Sequence, residues 1–316
     1  MQRRDFLAAG LTAAVYNSTG VSLPAAPTRD GMTFGFSTYG AKALKTEAAI
    51  NLLADIGFDS VELTIWPQWD ANPAAMSSRR RRALRKLLVA RKIRVTSLME
   101  HLHIDETNRS PRARLERVKL AAELAHDLSP GTPPLMQTTI GGGGKWKDVR
   151  DRYAAEVGRW LKVADADDLV IAIKPHRGGA FSRPVEAAEL IKRLDRPKRL
   201  RMCYDFSHYD FRDMTLEGTI RTALPHVAHV AIKDVVQKDG RTRFVLPGEG
   251  GRIDYSRLLR LFHDGGYRGD ICCEISGQVW SQPGYTPLKS ARTCYTNIAT
   301  AFEKARVPRT RKPDGR

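Results

Sequence analysis

A chain of 316 residues, 42% of them hydrophobic, suits one large domain or two small ones with a sizeable core. No apolar run reaches the roughly 18 residues that a membrane-spanning helix needs, which excludes that class. The net charge of +17 favours acidic partners, and four cysteines without CxxC spacing (Cys203, Cys272, Cys273, Cys294) exclude a readable zinc or redox motif and give no disulfide framework.

The first predicted element is a targeting segment. Arg3 and Arg4 precede Asp5-Phe6-Leu7, a short apolar stretch runs to Tyr16, and small residues follow at Ala25 and Ala26. A positive head, a short apolar segment and a small-residue region make a secretory signal. Arg-Arg-x-Phe-Leu resembles a twin-arginine signal. Residues 1–30 are therefore expected to direct export to the periplasm or another extracytoplasmic site and are set apart from the fold.

From residue 31 onward short β-rich runs alternate with helical patterns. Strands are predicted at Thr33–Ser37, Ser60–Trp66, Ile93–Leu98, Leu135–Ile140, Leu169–Ile173, Leu200–Tyr204, Val227–Ile232 and Ile271–Ile275. Helices begin at capping residues Thr46, Ser77 or Ser78, Ser110-Pro111, Ser182 with Pro184, and Asp254, and further helices cover about 149–164 and 289–304. Runs such as Leu169-Val170-Ile171-Ala172-Ile173 read as parallel strands buried on both faces. Eight strand-helix units predict an α/β fold, a parallel eight-stranded (β/α)8 TIM barrel over residues 31–305. No GxGxxG follows the first strand, which argues against a doubly wound dinucleotide fold. Residues 235–251 read as a long polar loop. The basic run from Arg79 to Lys92 reads as a solvated helix face, and residues 306–316 as a loose basic tail.

In such a barrel, chemistry sits at the C-terminal strand ends. Those ends carry Glu62 and Trp66, His101, Lys174 with His176 and Arg177, Asp205 with His208, His229 and Lys233, and Glu274. One lone histidine on a strand is more often structural than catalytic. Ionisable groups from at least five strands converging on one rim are the expected active site.

These motifs resemble the xylose-isomerase-like barrels, a family that includes sugar epimerases and apurinic endonucleases. Gly57-Phe58-Asp59-Ser60-Val61-Glu62-Leu63, Tyr204-Asp205-Phe206-Ser207-His208, Ala228-His229-Val230-Ala231-Ile232-Lys233-Asp234 and the Gly265-to-Glu274 approach carry the resemblance, which covers residues 33 to about 304. It implies one divalent ion (Mn, Mg, Zn or Co) held by glutamate, aspartate, histidine and glutamate from strands five to eight. Asp205 and Glu274 match two of these ligands. Lys174 stands where the first glutamate is expected, and Ala231 where the histidine is expected. Two carboxylates beside an ammonium make an incomplete metal set; alternatively His101, His176 or His229 completes a site.

The resemblance further implies proton abstraction next to a carbonyl, with Glu274 as base, Lys174 polarising the carbonyl, and Asp205 in the same catalytic group. Glu62, Trp66, His101, His176, Arg177, His208, His229 and Lys233 are the expected substrate-binding set, and Arg177 with Lys233 suits an acidic sugar. The expected partner is a small carbohydrate, with a homodimer as the oligomer. Two alternatives stand beside the enzyme: a non-catalytic carbohydrate-binding barrel, and an apurinic-endonuclease-like nuclease. The nuclease lacks its additional histidine-aspartate set after strand seven, so no nucleic-acid partner is expected.

Overall fold

The structure, a computed structural model, describes residues 30–104, 110–195 and 198–310. The export signal expected at residues 1–30 falls outside these, apart from Asp30.

Eight parallel strands close into a barrel: β1 (Thr33–Ser37), β2 (Ser60–Thr64), β3 (Arg94–His101), β4 (Leu135–Thr139), β5 (Ile171–Lys174), β6 (Leu200–Tyr204), β7 (Val227–Ile232) and a last strand, Asp270–Cys273. Between β7 and that strand lie β8 (Asp234–Lys238) and β9 (Arg241–Val245), so the closing strand is β10. It pairs with both β7 and β1, and the remaining neighbours follow in chain order. The helices are α1 (Thr46–Ile56), α2 (Ser78–Ala90), α3 (Pro111–Leu128), α4 (Trp146–Ala166), α5 (Pro184–Leu194), α6 (Leu216–Ala223), α7 (Tyr255–Asp264), a single turn α8 (Gly277–Trp280) and α9 (Pro287–Ala305). Among the described residues, no helix is long and apolar enough to cross a membrane.

Local chemistry sets these boundaries. The side chains of Ser77, Ser110, Thr215 and Asp254 each accept a hydrogen bond from a backbone N–H in the first turn of the helix they precede. Gly57, at φ 105°, ends α1 in the left-handed region. Thr46 is not the cap of α1. Its N–H and hydroxyl both donate to Asp70 Oδ2 at 2.8 Å, so an acid from the following loop satisfies that terminus.

Three further expectations are corrected. Residues 235–251 are not a plain loop, because β8 and β9 pair as an antiparallel hairpin. Asp239 and Gly240 turn it with φ of 51° and 69°, the conformation that an Asp-Gly pair favours between two strands. The basic face of α2 is not wholly solvated: buried Arg81 donates to the carbonyls of Met76 and Pro73 and pairs with Asp127 at 2.9 Å. The tail is packed as far as Thr310. Met32 and Arg309 form a β-bridge, and the Arg309 guanidinium reaches Asp59 at 3.0 Å.

The apolar core lies between barrel and helices, with Phe34, Trp160, Tyr204 and Phe262 fully buried. Side chains alternate along each strand. The inward set is small or polar: Ala172, Cys203 and Ala231 pack together inside, and all four cysteines are free and buried. At the lower end Asp270 accepts hydrogen bonds from Thr33 at 2.6 Å, from Thr96 at 3.0 Å and from Ser60.

Candidate active site

Charged side chains are almost never fully buried unless paired. Four are buried together at the upper mouth. Lys174 ends β5, Asp205 follows β6, Lys233 follows β7 and Glu274 follows β10. The Lys174 ammonium is 2.6 Å from Glu274 Oε2 and 3.0 Å from Asp205 Oδ2. The Lys233 ammonium donates to Glu274 Oε1 at 2.7 Å and to Asp205 Oδ2. Asp205 Oδ1 also accepts from the Ser207 hydroxyl at 2.6 Å and the Ser207 N–H at 3.2 Å. The result is a closed quartet of two ammoniums and two carboxylates.

The electrostatics follow from this pairing. Burial works to raise the Glu274 pKa, but Lys174 and Lys233 outweigh it and hold the carboxyl well below its usual range. Asp205 is lowered in the same way, with Lys233 and Lys174 overcoming burial. Burial works against the Lys174 charge, yet Glu274 and Asp205 hold its pKa well above the usual lysine value. Lys174 is therefore held as an ammonium.

Histidines ring the quartet. The rings of His176 and His208 lie 3.9 Å apart, and His208 Nε2 is 3.4 Å from Asp205 Oδ2. Burial, helped by Lys233 and Lys174, pulls His176 down to about 4. His208 is pulled well below its ordinary value by burial first, then by His176 and Lys233. His176 Nδ1 lies 2.8 Å from the Arg177 carbonyl. A carbonyl only accepts, so Nδ1 carries the proton and Nε2 is left as an acceptor.

Other expected residues are distributed around and below. Trp66 and His101 meet at the rim with ring centroids 3.8 Å apart. Arg177 is tied to the Asp210 carbonyl at 2.6 Å and lies 5.8 Å over the Phe244 ring. Glu62 and His229 sit deeper, 3.1 Å apart, in an ion contact not aligned as a hydrogen bond. Burial would raise the Glu62 pKa and lower that of His229, but their close polar contact, with the opposite charges behind it, reverses both effects. With Cys272 they bring three possible metal-ligand atoms within 4.8 Å of one another.

Lys233 does more than a hydroxyl-binding role implies, since it clamps both acids. The spacing carried that signal: His229, Ala231 and Lys233 alternate onto one face. Tyr39, Trp69, Phe244 and Trp280 escaped sequence reading because they arrive from separate loops and the hairpin. Phe244 stands over Lys233 at 5.3 Å and against His208 at 5.4 Å.

Comparison with known proteins places this mouth in a family. The sequence model described as "Xylose isomerase-like TIM barrel" matches residues 50–296. The chain belongs to the xylose isomerase-like TIM barrel family. Among curated relatives, a mouse protein (Mus musculus) named "Putative hydroxypyruvate isomerase" is 34% identical over 107 residues. That match covers 34% of this chain and 36% of the relative, so it spans about a third of each. Among solved family-type barrels, the IolI protein with a bound zinc atom superposes with a TM-score of 0.68 at 14% identity, covering 87% of this chain and 98% of that one. The 3-keto-D-glucoside 4-epimerase YcjR from E. coli, in its apo form, gives 0.65 at 14% identity, with 85% and 99% covered. At these identities the superpositions establish the fold.

Proposed function

We propose that this xylose isomerase-like barrel is an isomerase or epimerase acting on a sugar or acidic sugar derivative. It moves a proton next to a carbonyl, and Lys174 with Lys233 supplies the positive charge at the reacting oxygen. The observation that carries this reading is the Lys174 ammonium lying 2.6 Å from Glu274 and 3.0 Å from Asp205, the two acids that match family ligands.

The residues present do not fit a divalent ion at that place. Ala231 offers no ligand atom, and a dipositive ion would face two ammoniums. At an effective dielectric near 20, one ammonium about 4 Å from a divalent ion opposes it by roughly 8 kcal/mol, enough to cancel the attraction of one carboxylate at the same distance. The quartet is already neutral without it.

The chemistry then rests on the chain's own groups. A carbonyl oxygen entering the mouth accepts hydrogen bonds from the ammoniums, which stabilise the enediolate oxygen as charge develops. In shifting toward that oxygen they loosen their hold on Glu274, and its basicity rises as the proton is taken. His176 and His208, neutral at pH 7, accept hydrogen bonds from substrate hydroxyls. Phe244 and Trp66 wall the mouth and shield it from water.

One observation favours a second reading, a carbohydrate-binding barrel without turnover. In the resting protein both acids are engaged by ammoniums, and Glu274 is a weak base. Solvent exchange separates the two. The protein is incubated in D2O with keto and aldo sugars and with hydroxypyruvate, and deuterium next to the carbonyl is followed by NMR. Wild type is expected to exchange at least one substrate, and Glu274→Gln to lose about 100-fold or more. Binding without exchange selects the second reading. Full exchange in Glu274→Gln or Lys174→Met ends the assignment of roles.

A further inference from the structure

The half of the mouth opposite the lysines is aromatic. Tyr39 follows β1, Trp66 and Trp69 follow β2, and Trp280 closes α8. Ring centroids are 4.6 Å apart for Trp66–Trp69, 5.2 Å for Tyr39–Trp66, 5.5 Å for Tyr39–Trp280 and 6.1 Å for Trp69–Trp280. The cluster leans on the charged site through Trp66, which packs on His101. Tyr39 also senses that site, its phenol pushed up to about 12 by burial and then by Glu274.

All four rings are only half-buried, and of the four only Trp280 packs against the apolar core between barrel and helices. Buried indoles normally find an acceptor for their N–H. Those of Trp66 and Trp69 are shielded, yet have no hydrogen-bond partner among the described residues. Farther out, the exposed Lys42 ammonium lies 4.6 Å over the Trp69 ring and 5.0 Å over that of Trp280. Half-exposed aromatic rings with one ammonium beside them complement a pyranose ring, which has C–H faces edged by hydroxyl acceptors.

The cluster also has depth. Trp66 and His101 border the quartet, while Trp69 and Trp280 stand beyond them under Lys42. A single sugar held by the quartet would lie nearest the inner pair, with the outer pair and Lys42 beyond it. We propose that Trp69, Trp280 and Lys42 form a second-ring subsite. The substrate class is then a glycoside or disaccharide that presents its reacting sugar to Lys174 and Glu274 and stacks its other ring on the indoles. This rests on the sugar-binding reading above and adds the size of the ligand to it.

Calorimetric titration of the full chain with matched one- and two-ring probes tests this: glucose against cellobiose, galactose against lactose, and glucuronic acid against p-nitrophenyl glucuronide. In at least one pair the two-ring probe is expected to bind about tenfold tighter, ~1.4 kcal/mol at 25 °C. Trp69→Ala should abolish that advantage and leave one-ring affinity in place. Lys174→Met should weaken both members alike and keep their ratio. Should Trp69→Ala fail to fold, Trp280→Leu and Lys42→Ala carry the same comparison. Equal affinities in every pair, no binding in any pair, or an advantage that survives in the outer-subsite variants would overturn the subsite. An intact advantage without deuterium exchange keeps the subsite and removes the catalytic reading.

Discussion

At the scale of single residues, position 174 decides the character of the mouth. Lys174 and Lys233 close a self-neutralised quartet with Asp205 and Glu274, and, in the function proposed for this barrel, Lys174 and Ala231 stand where the family resemblance implies a glutamate and a histidine. Both changes are reversible by mutation, which makes the idea testable. Lys174→Glu combined with Ala231→His replaces one ammonium with a carboxylate and adds an imidazole. The double variant is expected to bind Mn2+ or Zn2+ at least about 100-fold more tightly than wild type, a gain of ~2.7 kcal/mol, measured by calorimetry. Neither single variant should reach that gain. Tight stoichiometric binding by wild type that Asp205→Asn abolishes would show that the quartet opens to admit an ion. Binding lost instead on changing Glu62 or Cys272 would place the ion at the deeper group.

At the scale of elements, the hairpin β8–β9 brings Phe244 over the charged site. Asp234 anchors its base, accepting hydrogen bonds from the N–H groups of Gly248 at 2.9 Å and Gly250 at 2.8 Å. The Phe244 N–H donates to Gln278 at 3.0 Å, fixing the second strand against α8. The Phe244 ring is thereby held over Lys233. It is half-exposed and makes no part of the apolar core. Phe244→Ala should therefore weaken sugar binding by about 3- to 10-fold, in line with one lost aromatic contact of ~0.5–1.5 kcal/mol. Its urea midpoint should stay close to that of wild type. A large fall in stability with unchanged sugar affinity would make Phe244 a packing residue instead. The hairpin was legible in principle, because Asp239-Gly240 is a strong two-residue turn signal. Its strands are short and largely exposed, so the apolar alternation that marks a strand is weak there.

At the scale of the whole molecule, the histidines at the mouth couple it to stability. His101 is held well below the ordinary histidine range by burial first and then by His103, and His176 and His208 are also depressed. As pH falls, the unfolded chain takes up these protons before the folded one. The stability they contribute is complete above about 6.5 and declines as pH drops toward the folded values, which is about 4 for His176. His229 acts oppositely: raised through Glu62, its contribution is present below the ordinary value and lost as pH rises above it. Four histidines are depressed, His226 included, against one raised histidine and the raised carboxyls of Glu186, Asp234 and Asp270. Chemical denaturation is expected to show lower stability at pH 5 than at pH 7, by about 1–2 kcal/mol for each depressed histidine. The carboxylates of the quartet add their loss only below the ordinary carboxylate range, because both are depressed. A flat profile from pH 7 to 5 would show that these histidines are protonated in the folded protein.

What the sequence determined was periodic or contiguous. Apolar runs on both faces of a strand, caps at helix starts and glycine at helix ends fix eight strand-helix units, and that number of units is the pattern of a closed barrel. The set of strand-end side chains was equally readable, since the fold delivers them all to one rim. Only the tertiary structure decided how those side chains pair. Lys174 and Glu274 are separated by 100 positions, yet share a 2.6 Å contact because β5 and β10 face each other across the mouth. The aromatic wall, the Phe244 cover and the Arg309–Asp59 clasp likewise join distant segments. Barrel closure sets such contacts through geometry, and a linear pattern of hydrophobicity carries no record of which loops meet.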